Sequence, residues 1–120
     1  MEFRTRKLIK PEDLNAGHTL FGGQLLKWID EEAAIYAMCQ LNNRRVTTKF
    51  MSEINFISPA RLGDVVEIGI ETTKIGITSI TFKCEARVKG SEKAIIQIDE
   101  IVFVNLNENG VPFPHNKSKL

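Results

Sequence analysis

No stretch of this 120-residue chain is apolar for long enough to span a bilayer, which takes about 20 consecutive apolar residues. Its opening, MEFRTRKLIKPEDL, carries basic residues but neither an apolar h-region nor a small-residue cleavage site, so the default expectation is a cytoplasmic protein. Charge of one sign is missing too. Lys and Arg number 16 against 15 Asp and Glu, a net charge of +1 that gives no global field to attract nucleic acid or a membrane surface. An anionic ligand must therefore be met by a local cluster. Cysteine occurs twice, Cys39 in a helical pattern and Cys84 in a strand pattern, and neither belongs to a CxxC or Cys/His spacing. Both are expected to be reduced, buried thiols. Internal repeats, low-complexity tracts and linkers are absent as well, so residues 1–120 read as one domain, small enough that oligomerisation would help to hold it together.

What is present is organised around residues 13–38, DLNAGHTLFGGQLLKWIDEEAAIYAM, a polar turn that passes through Gly22-Gly23 into one long helix ending near Leu41. At about 100° per residue, Leu25, Leu26, Ile29, Ala33, Tyr36 and Ala37 form a broad apolar arc, with Asp30 at its edge. Trp28, Ile35 and Cys39 extend the apolar surface beyond what one sheet face covers, so a partner subunit is expected there. At the helix entry the missing side chains expose N–H donors that have no partner within the helix, a ready site for an oxyanion. Gly22-Gly23 is too short for a dinucleotide fingerprint.

A weakly alternating first strand is expected over residues 3–9. After Asn42, Asn43, Arg44 and Arg45 the period becomes two. Val46, Thr48, Phe50, Ser52, Ile54 and Phe56 are expected on one face of a continuous strand that Ser58-Pro59 ends. A strand after Gly63-Asp64 places Val66, Ile68 and Ile70 together; Gly76 turns the chain, and Ile80, Phe82, Cys84 and Ala86 share a face of the next. The last strand, from Lys93 to about Leu106, is apolar on both faces, with Ile96 and Ile98 on one and Ile101 and Phe103 on the other, as in a central or interface strand. From about residue 107 the tail reads as loop that frays toward Leu120. The class is α+β, an antiparallel sheet curled around one long helix, the arrangement called a hotdog.

The series Asn15, Phe21-Gly22-Gly23, Trp28-Ile29-Asp30, Val46-Thr47, Asn55-Phe56, Pro59, Gly63-Asp64 and Gly76 with Thr78-Ser79 resembles the YciA-type acyl-coenzyme A thioesterases over nearly the whole chain. The resemblance implies a hotdog homodimer, commonly a trimer of dimers, that hydrolyses acyl-CoA without a metal or other cofactor, CoA being part of the substrate. It implies that Asn15 and Asp30 face each other across the dimer interface, with the thioester carbonyl near the backbone of Gly22 and Gly23. Relatives often carry arginine after the glycine matching Gly76, where it can meet CoA phosphate; here the residue is Ile77, which shifts phosphate recognition to other basic residues or weakens it.

Read from the residues alone, Asp30 is a general base, a nucleophile or a solvated surface charge. Glu31 and Glu32 are rival carboxylates, and Glu31 pairs naturally with Lys27 four residues earlier. Asn15 fits a turn as well as a site, and His18 has no acidic residue or nucleophile beside it. For the nucleotide end the candidates are Arg44, Arg45, Arg61 and Lys74, with Thr78 and Ser79 as hydroxyl donors. Leu26, Ile29 and Phe56 are the candidate acyl-chain lining. A non-catalytic acyl-CoA-binding protein and a hotdog dehydratase are the competing functions.

Overall fold

The computed structural model describes residues 1–91 and 93–117. Six strands and one long helix follow in the order β1 (Phe3–Leu8), α1 (Gly22–Leu41), β2 (Val46–Met51), β3 (Ile54–Phe56), β4 (Val65–Ile75), β5 (Ser79–Val88) and β6 (Ala94–Asn105). All pairings are antiparallel, in the sheet order β1-β4-β5-β6-β2, with β3 also pairing β6. The expected α+β hotdog arrangement holds, with β6 central as its apolar composition implied.

The helix buries Leu25, Trp28, Ile29, Ala33, Ala37 and Leu41 on the sheet. These positions recur at spacings of three and four, the stripe that a 3.6-residue period brings to one side. Trp28 belongs to this buried face, whereas Ile35 and Cys39 are exposed. Cys39 is thus not the core thiol expected. Cys84 is: burial, then the charge of Glu85, pushes its thiol up to about 12, so it stays protonated at neutral pH. At the far end Asn42 adopts the left-handed conformation (φ 50°) and its N–H returns to the Met38 carbonyl, closing the helix.

Two departures from strict alternation matter. The strand expected to run from Val46 to Phe56 breaks at Ser52-Glu53, where Ser52 exchanges hydrogen bonds with Glu100. Before the break, Lys49 is an extra residue between the pairs Thr48–Phe103 and Phe50–Val102. This bulge turns Phe50 outward, 51% exposed, and Met51 toward the core. Likewise Asp99-Glu100 bulges between Ile98–Cys84 and Ile101–Phe82, so Ile96, Ile98, Ile101 and Phe103 share the core face instead of dividing between two. The tail does not fray before the end of the described residues. Leu106 bridges Pro112, Phe113 bonds Asn105, and His115 is buried.

Candidate active site

The segment before the helix is tied down by a buried carboxylate. Asp13, only 2% exposed, accepts from the Lys10 N–H (2.8 Å) and from the Gln24 side-chain amide (2.9 Å), while its carbonyl accepts from the Phe21 N–H (2.9 Å). Gln24 lies in the first turn of α1, so one residue sets both the course of the loop and where the helix begins. Asp13→Ala takes the acceptor from two part-buried hydrogen bonds, those of the Lys10 N–H and the Gln24 amide, and is expected to cost about 1–3 kcal/mol, read as a fall in thermal midpoint with the helix entry loosened.

Phe21 precedes the helix without a side-chain cap. Gln24 and Leu25 donate to the Phe21 carbonyl, and among the described residues neither the Gly22 nor the Gly23 N–H has an acceptor. The aromatic rings crowd both positions: a Cβ on Gly23 would lie 2.6 Å from the Phe21 ring and one on Gly22 3.2 Å from the Phe56 ring, so either substitution would push a ring aside. Both rings are more than half exposed. The helix therefore starts with two open amides between two solvent-facing aromatic rings, at the positive end of the helix dipole.

Asp30 projects from the middle of the helix toward β2. It is half-buried, and Thr48 donates its hydroxyl to Asp30 Oδ1 at 2.7 Å. That bond fixes the carboxylate while leaving Oδ2 without a partner among the described residues. Thr48 escaped the sequence reading as a site residue; the one signal for it was its place on the face that Val46 turns toward the helix. The rival carboxylates point elsewhere. Glu31 is exposed and forms no ion pair with Lys27 among the described residues, and Glu32 accepts from Thr5 (2.6 Å) on the β1 flank.

Asn15 organises its own loop. Its Oδ1 accepts from the Gly17 and Thr19 N–H groups (2.9 and 3.2 Å), and its Nδ2 donates to Thr19 Oγ1 (3.1 Å). It makes no hydrogen bond to Asp30 within the chain. Gly23 and Asp30 are two helical turns apart on one face, about 10 Å along the axis, too far for one protomer to bring its helix entry to its own carboxylate.

The other candidates divide by place. Arg61 lies at the helix entry, where it bridges Thr19 and its N–H bonds the Asp64 carboxylate (2.9 Å). Arg44 and Arg45 follow the helix's far end, and Lys74, Thr78 and Ser79 flank the β4–β5 turn. Leu26 is half-buried and Phe56 covers Gly22, but Ile29 is wholly buried in its own protomer's core and offers no surface to an acyl chain, because its helical position points straight at the sheet. His18 is exposed. No group of three His, Cys, Asp or Glu side chains among the described residues is placed to hold a metal ion, and no described helix is long and apolar enough to cross a membrane.

A family model described as the thioesterase superfamily matches residues 17–95. The chain belongs to the thioesterase superfamily. Within that superfamily the likeness to YciA-type acyl-CoA hydrolases holds. The chain is 33% identical to an uncharacterized acyl-CoA thioester hydrolase of Haemophilus influenzae over 88% of its own length and 71% of that protein's. It is 36% identical to the acyl-CoA thioester hydrolase YciA of Salmonella typhimurium over 73% of its own length and 65% of that protein's, so it spans about two thirds of these relatives. The crystal structure of a hexameric thioesterase from Yersinia pestis superposes with a TM-score of 0.85 at 31% identity, covering 94% of this chain and 93% of the other. This superfamily member thus shares the hotdog sheet and helix on which Asp30 and the glycine entry are carried.

Proposed function

We propose that the protein hydrolyses acyl-CoA thioesters to a free acid and CoA, in the cytoplasm, with residues 1–120 as one hotdog domain. The observation that carries the reading is the half-buried Asp30 carboxylate, held at one oxygen by Thr48 and open at the other, in a chain of the thioesterase superfamily. The Oδ2 lone pair drives attack on the thioester carbon, by taking a proton from water or by adding directly. A C–O bond forms, to the water oxygen or to Asp30, the C–S bond breaks, and the electron pair leaves on the CoA sulfur, which is then protonated; on the direct route water next cleaves the mixed anhydride, releasing the acid and restoring the Asp30 carboxylate. The open Gly22 and Gly23 N–H groups hold the oxyanion, a contribution of about 3 kcal/mol per donor. No metal takes part in these steps.

The separation of helix entry and carboxylate supports a homodimer with shared sites, one subunit supplying Asp30 and the other its glycine entry and Asn15. Exposed Phe21, Ile35, Phe50 and Phe56 give such a dimer apolar surface to bury, and three dimers would build a hexamer. Against a dehydratase reading, neither described histidine bonds Asp30 within a protomer: His115 is bonded to the Ser79 carbonyl, and His18 is exposed in the Asn15 loop with no acidic side chain bonded to it.

Release of free thiol from a panel of acyl-CoAs tests this directly. Turnover is expected, with KM rising between low and high salt, since exposed contacts from basic side chains to phosphate are screened over about 8–10 Å. Binding without thiol release would make the protein an acyl-CoA binder, and a KM flat with salt would remove the basic side chains from recognition.

A further inference from the structure

The loop that carries Asn15 is a small antiparallel hairpin joined directly to the helix entry. Phe21 donates its N–H to the Asp13 carbonyl (2.9 Å), Leu14 bridges Leu20, and Asn15 donates its N–H to the Thr19 carbonyl (2.8 Å). On the outer side Leu20 donates to the Ala60 carbonyl (2.8 Å) and Thr19 bridges Arg61, so the second arm is held between the first arm and the segment before β4. At the tip His18 takes the left-handed region (φ 63°) and donates its N–H to the Asn15 carbonyl (3.0 Å). That turn folds Thr19 back over Asn15.

Asn15 is exposed, yet most of its amide is engaged inside the hairpin. An amide offers one oxygen with two lone pairs and two N–H hydrogens. Oδ1 takes the Gly17 and Thr19 N–H groups at 2.9 and 3.2 Å, two backbone donors that would face an N–H if the amide were turned over. The hydroxyl of half-buried Thr19 meets both ends of the same amide, accepting from Nδ2 at 3.1 Å and lying 3.3 Å from Oδ1. One Nδ2 hydrogen is left, without an acceptor among the described residues. What this side chain can still offer is a donor.

We propose that Thr19 is a positioning residue for the reaction: its hydroxyl holds the Asn15 amide plane so that the free Nδ2 hydrogen is presented to the thioester carbonyl oxygen. The inference rests on the acyl-CoA reading above and adds to it the direction of the Asn15 hydrogen bond and the side chain that sets it. A donor suits the carbonyl oxygen because charge builds there in the transition state, where a preplaced N–H acts more strongly than on the neutral substrate. Acceptance of a proton from water by Asn15 is closed, since backbone donors fill both Oδ1 lone pairs. Those donors fix which way round the amide lies. The Thr19 hydroxyl fixes the Nδ2 end, which no other side chain among the described residues bonds.

Steady-state kinetics on an acyl-CoA, paired with thermal unfolding of the full chain, tests the proposal. Thr19→Val keeps the shape of the side chain and the backbone N–H bonded to Asn15, but loses the hydroxyl. It is expected to lower kcat by about 3- to 10-fold, the effect of one oriented hydrogen bond, with KM and thermal midpoint retained. Thr19→Ala is expected to do the same and provides the comparison where valine is not tolerated. Thr19→Ser is expected to restore kcat, whereas a role confined to packing would make serine, which lacks the methyl group, at least as harmful as valine. Thr5→Val, which removes a hydroxyl bonded to Glu32 on the β1 flank, is expected to leave kcat at the parent value. A parent-like kcat in the folded valine or alanine variant, or a serine variant that falls with them, overturns the inference and leaves the acyl-CoA reading standing. Failure of the parent to hydrolyse any acyl-CoA overturns that reading, and the inference with it.

Discussion

Asp30→Asn is expected to lower acyl-CoA turnover by about 10²- to 10⁴-fold, the range of a general base, with fold and assembly intact. The substitution keeps the shape of the side chain, and its amide oxygen can still accept the Thr48 hydroxyl now 2.7 Å from Oδ1. What is lost is the basic, nucleophilic oxygen. Because the change acts on the reacting group, the loss should fall in kcat, with KM little altered. Size-exclusion and circular-dichroism measurements identical to the parent, alongside that loss, separate chemistry from damage. A folded Asp30→Asn protein that turns over near the parent rate would remove Asp30 from the reaction.

Phe82→Ala is expected to have the largest effect on stability, about 3–5 kcal/mol. Phe82 is completely buried in β5, meets Tyr36 of the helix edge-on with centroids 4.9 Å apart, and lies 5.9 Å from Phe103 of β6. Truncation opens a cavity at the place where helix and sheet meet, and rigid strands cannot close it. Thermal unfolding should show a drop on the order of 10–20 °C. A drop of only a degree or two would mean that the interior collapses onto the gap and that the helix is seated by other contacts.

The helix was legible because its signals are local: glycines before its first buried side chain, a 3.6 period through it, and Asn42 able to turn left-handed after it. The strands were legible from alternation, and alternation is also where the sequence misled. A bulge inverts face parity without any residue type that announces it, so Lys49 and Asp99-Glu100 could not be seen as extra residues and Phe50, Ile101 and Phe103 were placed on the wrong faces. Asp30 was placed at the edge of the apolar arc, where it lies, but the hydroxyl that holds it comes from a strand 18 residues away. Asp13 read as a loop polar residue because its burial depends on Lys10 and Gln24 folding over it. The docked tail depends in the same way on Asn105 and His115, neither of which carries a local sign of its partner.

The central claim is that each site is shared between two subunits, Asp30 from one and Asn15 with the glycine entry from the other. Asp30→Asn and Asn15→Ala subunits, each inactive or nearly so alone, are mixed in equal amounts, exchanged until native mass spectrometry shows hybrid dimers, and assayed for thiol release from acyl-CoA. Each hybrid then contains one site with both groups intact, so activity should recover to about a quarter of the parent's, as twofold symmetry with random exchange requires. A mixture with hybrids present whose activity does not exceed the sum of the two variants would place Asp30 and Asn15 in the same subunit's site and contradict the account.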